Sequence, residues 1–246
     1  MGHILPIQQV RQLLADRLPG TRTGYPRRLP AAVLPTGIRR LDLALGGGLP
    51  LGETTEIVGP GLGSGSAQLI HAVLKQSARE GRFVAFVDGA DSLDVDALEP
   101  FELARFLWVR CRTVSEALAS TDLLLRDRNF PLVVLDLKLN PPSQWQRVSG
   151  SVWHRLNRLR EHHRATFLVL TSKPTVGGAG QRLRVSATNS RGVGVLDAAS
   201  TVQSPAELLA LLDFEVLRER TGSSEIEIST NPVIASSGPE PFALTG

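Results

Sequence analysis

Between Leu34 and Ser172, short apolar runs rich in Val, Leu and Phe alternate with stretches whose apolar residues recur every three or four positions. The runs "TTEIVG", "FVAFVD", "FLWVRC", "PLVVLDL" and "ATFLVLTS" read as strands. The stretches "GIRRLDLAL", "SAQLIHAVLKQSAREG", "VSEALASTDLLLRDR" and "WQRVSGSVWHRLNRLREHH" read as helices. A strand that is apolar on both faces must be covered on both, and helices between such strands supply the crossovers that parallel pairing needs. The expected fold is therefore α/β, a mostly parallel central sheet with helices on both faces. After Ser172 the segments "RLRVSA", "LDFEVLRERTG" and "SEIEIST" alternate and are separated by turn residues, which predicts an antiparallel C-terminal edge.

The ends differ in character. Residues 4–18 place Ile7, Val10, Leu13, Leu14 and Leu18 at helical spacing, and "PGTRTGYPRRLP" follows as a basic linker. This divides the chain into a helix and linker over residues 1–33, a core over 34–230 and a Pro/Gly/Ser-rich tail over 231–246. Phe242 and Leu244 make the tail's one apolar hook. No apolar run reaches the ~18 residues of a membrane span and the start lacks a signal sequence, so a cytoplasmic location is expected. The single cysteine, Cys111, rules out an internal disulfide and reads as a buried thiol. Of 27 basic residues only Lys75, Lys138 and Lys173 are lysines and the other 24 are arginines, yet the net charge is just +3. That balance permits nucleic-acid binding without requiring it.

The stretch "EIVGPGLGSGSAQLI", Glu56 to Ile70, is a glycine-rich link between a strand and a helix. A phosphate-binding loop of the pattern G-x-x-x-x-G-K-[ST], begun at Gly59, calls for Gly, Lys and Ser/Thr at 64, 65 and 66. The chain has Ser64, Gly65 and Ser66 instead. Lys75 lies too far along the following helix to substitute, and neither Lys138 nor Lys173 is expected to supply the missing cation. Two readings stay open: a helix start capped by the Ser64 and Ser66 hydroxyls with Asp136 as a polar strand end, or residual anion binding at a helix N-terminus.

The segment "LPTGIRRLDLALGGGLPLGETTEIVGPGLGSG", Leu34 to Gly65, resembles the lead into the phosphate loop of the RecA family. "VAFVDGADSLD" resembles that family's second core strand, "LVVLD" its Walker B strand and "FLVLTSK" its nucleotide-sensing strand. The likeness runs from about residue 34 to 222 and implies a RecA-like core. It also implies that Gly59, Ser64, Gly65, Ser66 and Asp136 are what remains of a nucleotide site, Ser66 and Asp136 holding the two Mg²⁺-associated positions. The family's water-activating glutamate would fall just after Asp88, where Gly89 and Ala90 stand, and its sensor glutamine is replaced by Lys173. With lysine, base and sensor all changed, no catalytic residue and no cofactor are expected.

The eroded loop, basic arm and Pro/Gly-rich tail resemble the ImuA-type RecA-like proteins of bacterial mutagenesis cassettes. That resemblance implies a non-catalytic adaptor in DNA-damage-induced translesion synthesis. Its implied partners are an ImuB-like Y-family polymerase relative, RecA, a DnaE2-type polymerase reached through ImuB, a second copy of the chain, and DNA bound weakly. A DNA-dependent ATPase with an unusual cation and a RecA-like inhibitor of cell division are the alternatives. Arg27, Arg28, Arg39, Arg40, Arg155, Arg158 and Arg164 are candidate phosphate contacts. Leu13, Leu14, Leu18, Phe242 and Leu244 are candidate partner contacts. On "WHRLNRLREHHRATF" the arginines, Arg160 among them, are expected on a solvated face, and the histidines there lack a completing cluster for a metal. Trp108, Trp145 and Trp153 read as packing residues, and no G-x-S-x-G elbow occurs.

Overall fold

The computed structural model describes residues 32–60, 63–145, 147–163, 165–187, 209, 212–217 and 228–229. Its elements in chain order are β1 (Val33–Leu34), α1 (Arg39–Leu45), β2 (Leu49–Pro50), β3 (Thr54–Val58), α2 (Ser66–Arg79) and β4 (Val84–Asp88). A 3₁₀ turn over Val95–Ala97 leads to α3 (Pro100–Leu103), β5 (Phe106–Arg110), α4 (Val114–Asp127) and β6 (Leu132–Asp136). Then come α5 (Pro142–Trp145), α6 (Gly150–His163), β7 (Thr166–Thr171), β8 (Gln181–Ala187), β9 (Leu212–Leu217) and β10 (Ile228–Ser229).

Eight strands form one sheet in the order β10-β9-β8-β3-β7-β6-β4-β5, and β1 pairs with β2 apart from it. From β8 to β5 every pairing is parallel; β9 runs antiparallel to β8, and β10 to β9. The expected antiparallel edge is present, although β8 itself joins β3 in parallel. Every residue of β3, β4 and β7 is buried, which is why these strands carry no polar alternation. One face packs on α1 and α2 through Leu41, Leu69, Val73, Phe86 and Phe214; the other packs on α4 and α6 through Ala117, Leu125, Trp153, Leu156 and Phe167.

Local chemistry fixes the approach to the loop. Asp42 Oδ1 accepts both the backbone N–H and the hydroxyl of buried Thr36, at 2.8 and 2.7 Å, tying the Thr36-Gly37 turn to α1. Gly46 then ends α1 in the left-handed region at φ 80°. The stretch read as one helix from Trp145 is two, α5 and α6, with Ser149 accepting the N–H of Ser151 at the start of the second. Cys111 is buried, and burial raises its thiol pKa. Trp145 and Trp153 are core, while Trp108 on edge strand β5 donates to Asp88 Oδ2 at 3.3 Å.

Candidate functional site

Parallel strands place their carboxyl ends, and the loops that follow them, along one edge of the sheet. There the 59–66 loop leaves β3, Asp88 ends β4 and Asp136 ends β6, opposite Asp88 in register. The described ends of this loop lie close together. A Cβ at Gly59 would lie 2.5 Å from Ser64 Oγ, and Gly65 takes φ 86° as the N-cap of α2 without any side-chain cap. The capping reading of Ser64 and Ser66 is thus corrected: their hydroxyls face elsewhere.

They face Lys138. Its Nζ donates to Ser64 Oγ at 2.8 Å and to Ser66 Oγ at 2.7 Å. The lysine lies two residues past Asp136, whose Oδ1 accepts the Lys138 N–H at 2.9 Å. The expectation that no other residue reaches the loop is overturned: a cation arrives from the end of β6. Lys173 does not join it and sits over the Trp145 ring, 4.8 Å from its centroid. Burial lowers the Lys138 pKa against the pull of Asp136. Burial also pushes the Asp136 carboxyl up to about 6; Asp88 adds to that shift, while the Lys138 N–H and charge oppose it.

The lysine position of the loop pattern is filled from another side. A Cβ on Gly65 would fall 2.0 Å from Leu212 Cδ2, so β9 packs onto the point from which a loop lysine would project. Leu212 is held there by Arg40, whose guanidinium donates to the carbonyls of Leu209 and Leu212 and lies 5.1 Å from the Phe214 ring centre. Ser64, Gly65 and Ser66 are all buried. Asp88, fully buried, spends its carboxylate on the N–H groups of Ser92 and Leu93, each at 2.8 Å, and on Trp108. Gly89 is there from necessity, since a Cβ would lie 2.4 Å from Asn140 Oδ1.

The candidate phosphate contacts are scattered. Arg39 and Arg158 are exposed; Arg40 is committed to the β9 carbonyls, and Arg155 pairs with Asp122 at 3.0 Å. Arg160 is not on a solvated face as expected but 7% exposed, donating to the carbonyl of Gly52. Arg27, Arg28, Arg164, Leu13, Leu14, Leu18, Phe242 and Leu244 lie outside the described residues. Among the described residues no group of three His, Cys, Asp or Glu side chains gathers as a metal site, and no helix is long and apolar enough to cross a membrane.

Beside the loop opens a cavity of about 420 Å³ between α2, the ends of β4 and β6, and the 92–98 segment. Lys138, Asp136 and Ser66 stand at its loop end, and Ile70, Leu74 and Phe86 are among its apolar walls.

This arrangement can be set against known proteins. The RecA N-terminal domain family matches residues 21–141. Protein RecA of Clavibacter michiganensis subsp. michiganensis is 36% identical over 118 residues, which cover 47% of this chain and 32% of that protein. Protein RecA of Mycobacterium tuberculosis is also 36% identical over 118 residues, 15% of its length. The crystal structure of the RadB recombinase superposes with a TM-score of 0.55 at 18% identity, covering 80% of this chain and 94% of that one. Over residues 21–141 the chain is RecA-like. It spans about a third or less of the curated RecA proteins named here, and the RadB likeness speaks for the fold alone. Within this RecA-like core, Lys138 lies between the loop hydroxyls and the Walker B-like strand end. No local pattern announces this contact, since β6 ends at Asp136 and the hydroxyls that Lys138 reaches are 72 and 74 positions away. The contact between Leu212 and Gly65 is equally hidden, because it joins segments almost 150 positions apart.

Proposed function

We propose that this RecA-like chain is a non-catalytic accessory protein of DNA-damage-induced translesion synthesis, of the ImuA type, acting through protein partners. The observation that carries the non-catalytic part is Lys138. Its ammonium is lodged against the Ser66 hydroxyl beside Asp136, the two positions that in the RecA resemblance accompany Mg²⁺. A cation fixed in that place competes with a divalent ion by charge repulsion, and Leu212 covers Gly65 where a loop lysine would emerge. Asp88 is fully engaged and no glutamate follows it, so a general base is also wanting. The same lysine is what the alternative reading, an ATPase with a relocated cation, would rest on; turnover separates the two. The partners in this reading are an ImuB-like polymerase relative and RecA, with a DnaE2-type polymerase recruited through the former and self-association or weak DNA contact through Arg39 and Arg158.

ATP hydrolysis by the full chain is expected to stay at background with and without DNA. Turnover that vanishes in Asp136→Ala would overturn the reading. Gly65→Lys is expected to create no activity and to destabilise by about 2–4 kcal/mol, since it sets a side chain at positive φ against Leu212. For the partners, affinity capture of the tagged chain from DNA-damaged cells should recover the ImuB-like protein; capture of division proteins alone would favour the cell-division alternative.

A further inference from the structure

We propose that the cavity beside the loop binds a compact organic monoanion, an apolar body ending in one carboxylate, with the carboxylate at Lys138. The walls set the body: Ile70 and Leu74 of α2, Phe86 of β4, Leu98 and Leu170 enclose about 420 Å³, a volume in the range of small-molecule sites. The charge is set by the loop end. Lys138 is the one lysine among the described lining residues, none of which is an arginine, and both hydrogen-bond partners of its ammonium are neutral hydroxyls. A half-buried ammonium whose hydrogen bonds go to neutral hydroxyls, with Asp136 as its nearby counter-charge, keeps an open side that an anion can meet.

Two further features limit the ligand. Asp94 and Asp136 also line the cavity, so a group carrying three or four negative charges meets two carboxylates against one ammonium. A polyphosphate is therefore disfavoured where a single carboxylate is not. At the wall, His71 Nε2 is buried facing Glu102 Oε1, 3.8 Å away, so this stretch of the wall offers no free donor and suits an apolar body. The phosphate-loop resemblance and this ligand chemistry thus diverge: the loop lacks the pattern's lysine, and its flank is an apolar chamber with a single ammonium at the loop end, beside Asp136.

The test is calorimetric titration of the full chain with decanoate, decan-1-ol and ATP as probes. Decanoate should bind saturably at one site, decan-1-ol about tenfold or more weakly, and ATP should not displace decanoate. Lys138→Met should weaken decanoate about tenfold and Lys138→Arg should restore most of the loss. Ala97→Trp, which places a bulky ring at the exposed 3₁₀ rim, should abolish saturable binding while leaving the fold intact. Decan-1-ol binding as tightly as decanoate, or Lys138→Met with unchanged affinity, would overturn the anionic contact. Binding unaffected by Ala97→Trp would overturn the cavity, and no saturable decanoate binding would overturn the proposal whole. ATP turnover would remove the non-catalytic reading without touching any of these results.

Discussion

Replacing Glu56 with alanine is expected to cost about 3–5 kcal/mol, among the largest single effects available in this chain. Glu56 sits in the middle of β3 with no exposed surface. Its Oε1 accepts the Thr171 hydroxyl at 2.9 Å and the N–H groups of Thr175 and Val176 at 2.6 and 3.1 Å, while Oε2 accepts Arg182 Nε at 2.6 Å. One carboxylate therefore joins β3, the end of β7, the turn that follows it and the start of β8. Deleting it removes the 2.6 Å contact of the Arg182 guanidinium, 13% exposed, and leaves two turn amides without their acceptor. Glu56→Gln keeps an acceptor and should lose less. Adding Arg182→Met to Glu56→Ala should recover part of the loss, because it removes a buried charge whose 2.6 Å carboxylate contact is gone. Urea unfolding of the four proteins checks this; a loss below about 1 kcal/mol for Glu56→Ala would mean that the turn holds by packing alone.

This carboxylate also marks a limit of reading the chain as sequence. In "TTEIVG" a glutamate within a buried strand is a local contradiction, and only the structure resolves it, by bringing Arg182 and three donors from elsewhere. The strands themselves were legible for a plain reason: burial on both faces leaves little room for polar alternation, so β4, β6 and β7 stand out as apolar runs whose polar residues sit at their ends. The glycine-rich loop and Asp136 were legible because their spacing is local. Lys138 and Leu212 were not, since their partners are 72 positions from the lysine in one case and reached through the sheet edge in the other. Arg160 was misplaced for a different reason. Trp153, Leu156 and Arg160 follow each other at i, i+3 and i+7 on one stripe of α6, and that stripe faces the core; charge suggested solvent where periodicity pointed inward. Its guanidinium reaches the Gly52 carbonyl from there, so the buried stem carries its polar end to a backbone acceptor.

Asp136 gives the second large effect, and its sign follows from the direction of its shift. Burial raises this carboxyl from its ordinary 3.8 to about 6. A carboxyl raised in the folded state favours folding while it is protonated; its contribution is complete below about pH 4 and is lost as pH rises through about 6. Across that window the contribution should fall by about 2–3 kcal/mol, at 1.36 kcal/mol for each pH unit between the two values. Asp136→Asn removes the titration and keeps an oxygen for the Lys138 N–H, which Oδ1 now accepts. The variant should therefore be more stable than the parent at pH 8 by about 1–3 kcal/mol, the lower end allowing for the attraction to the Lys138 ammonium that the substitution gives up. Near pH 4 the difference should shrink, because the parent is then neutral at this position as well. Urea unfolding of both proteins from pH 4 to 8 measures it directly. Stability curves that run parallel over the whole range would show that Asp136 titrates at its ordinary value, and that Lys138 offsets the burial of its carboxylate.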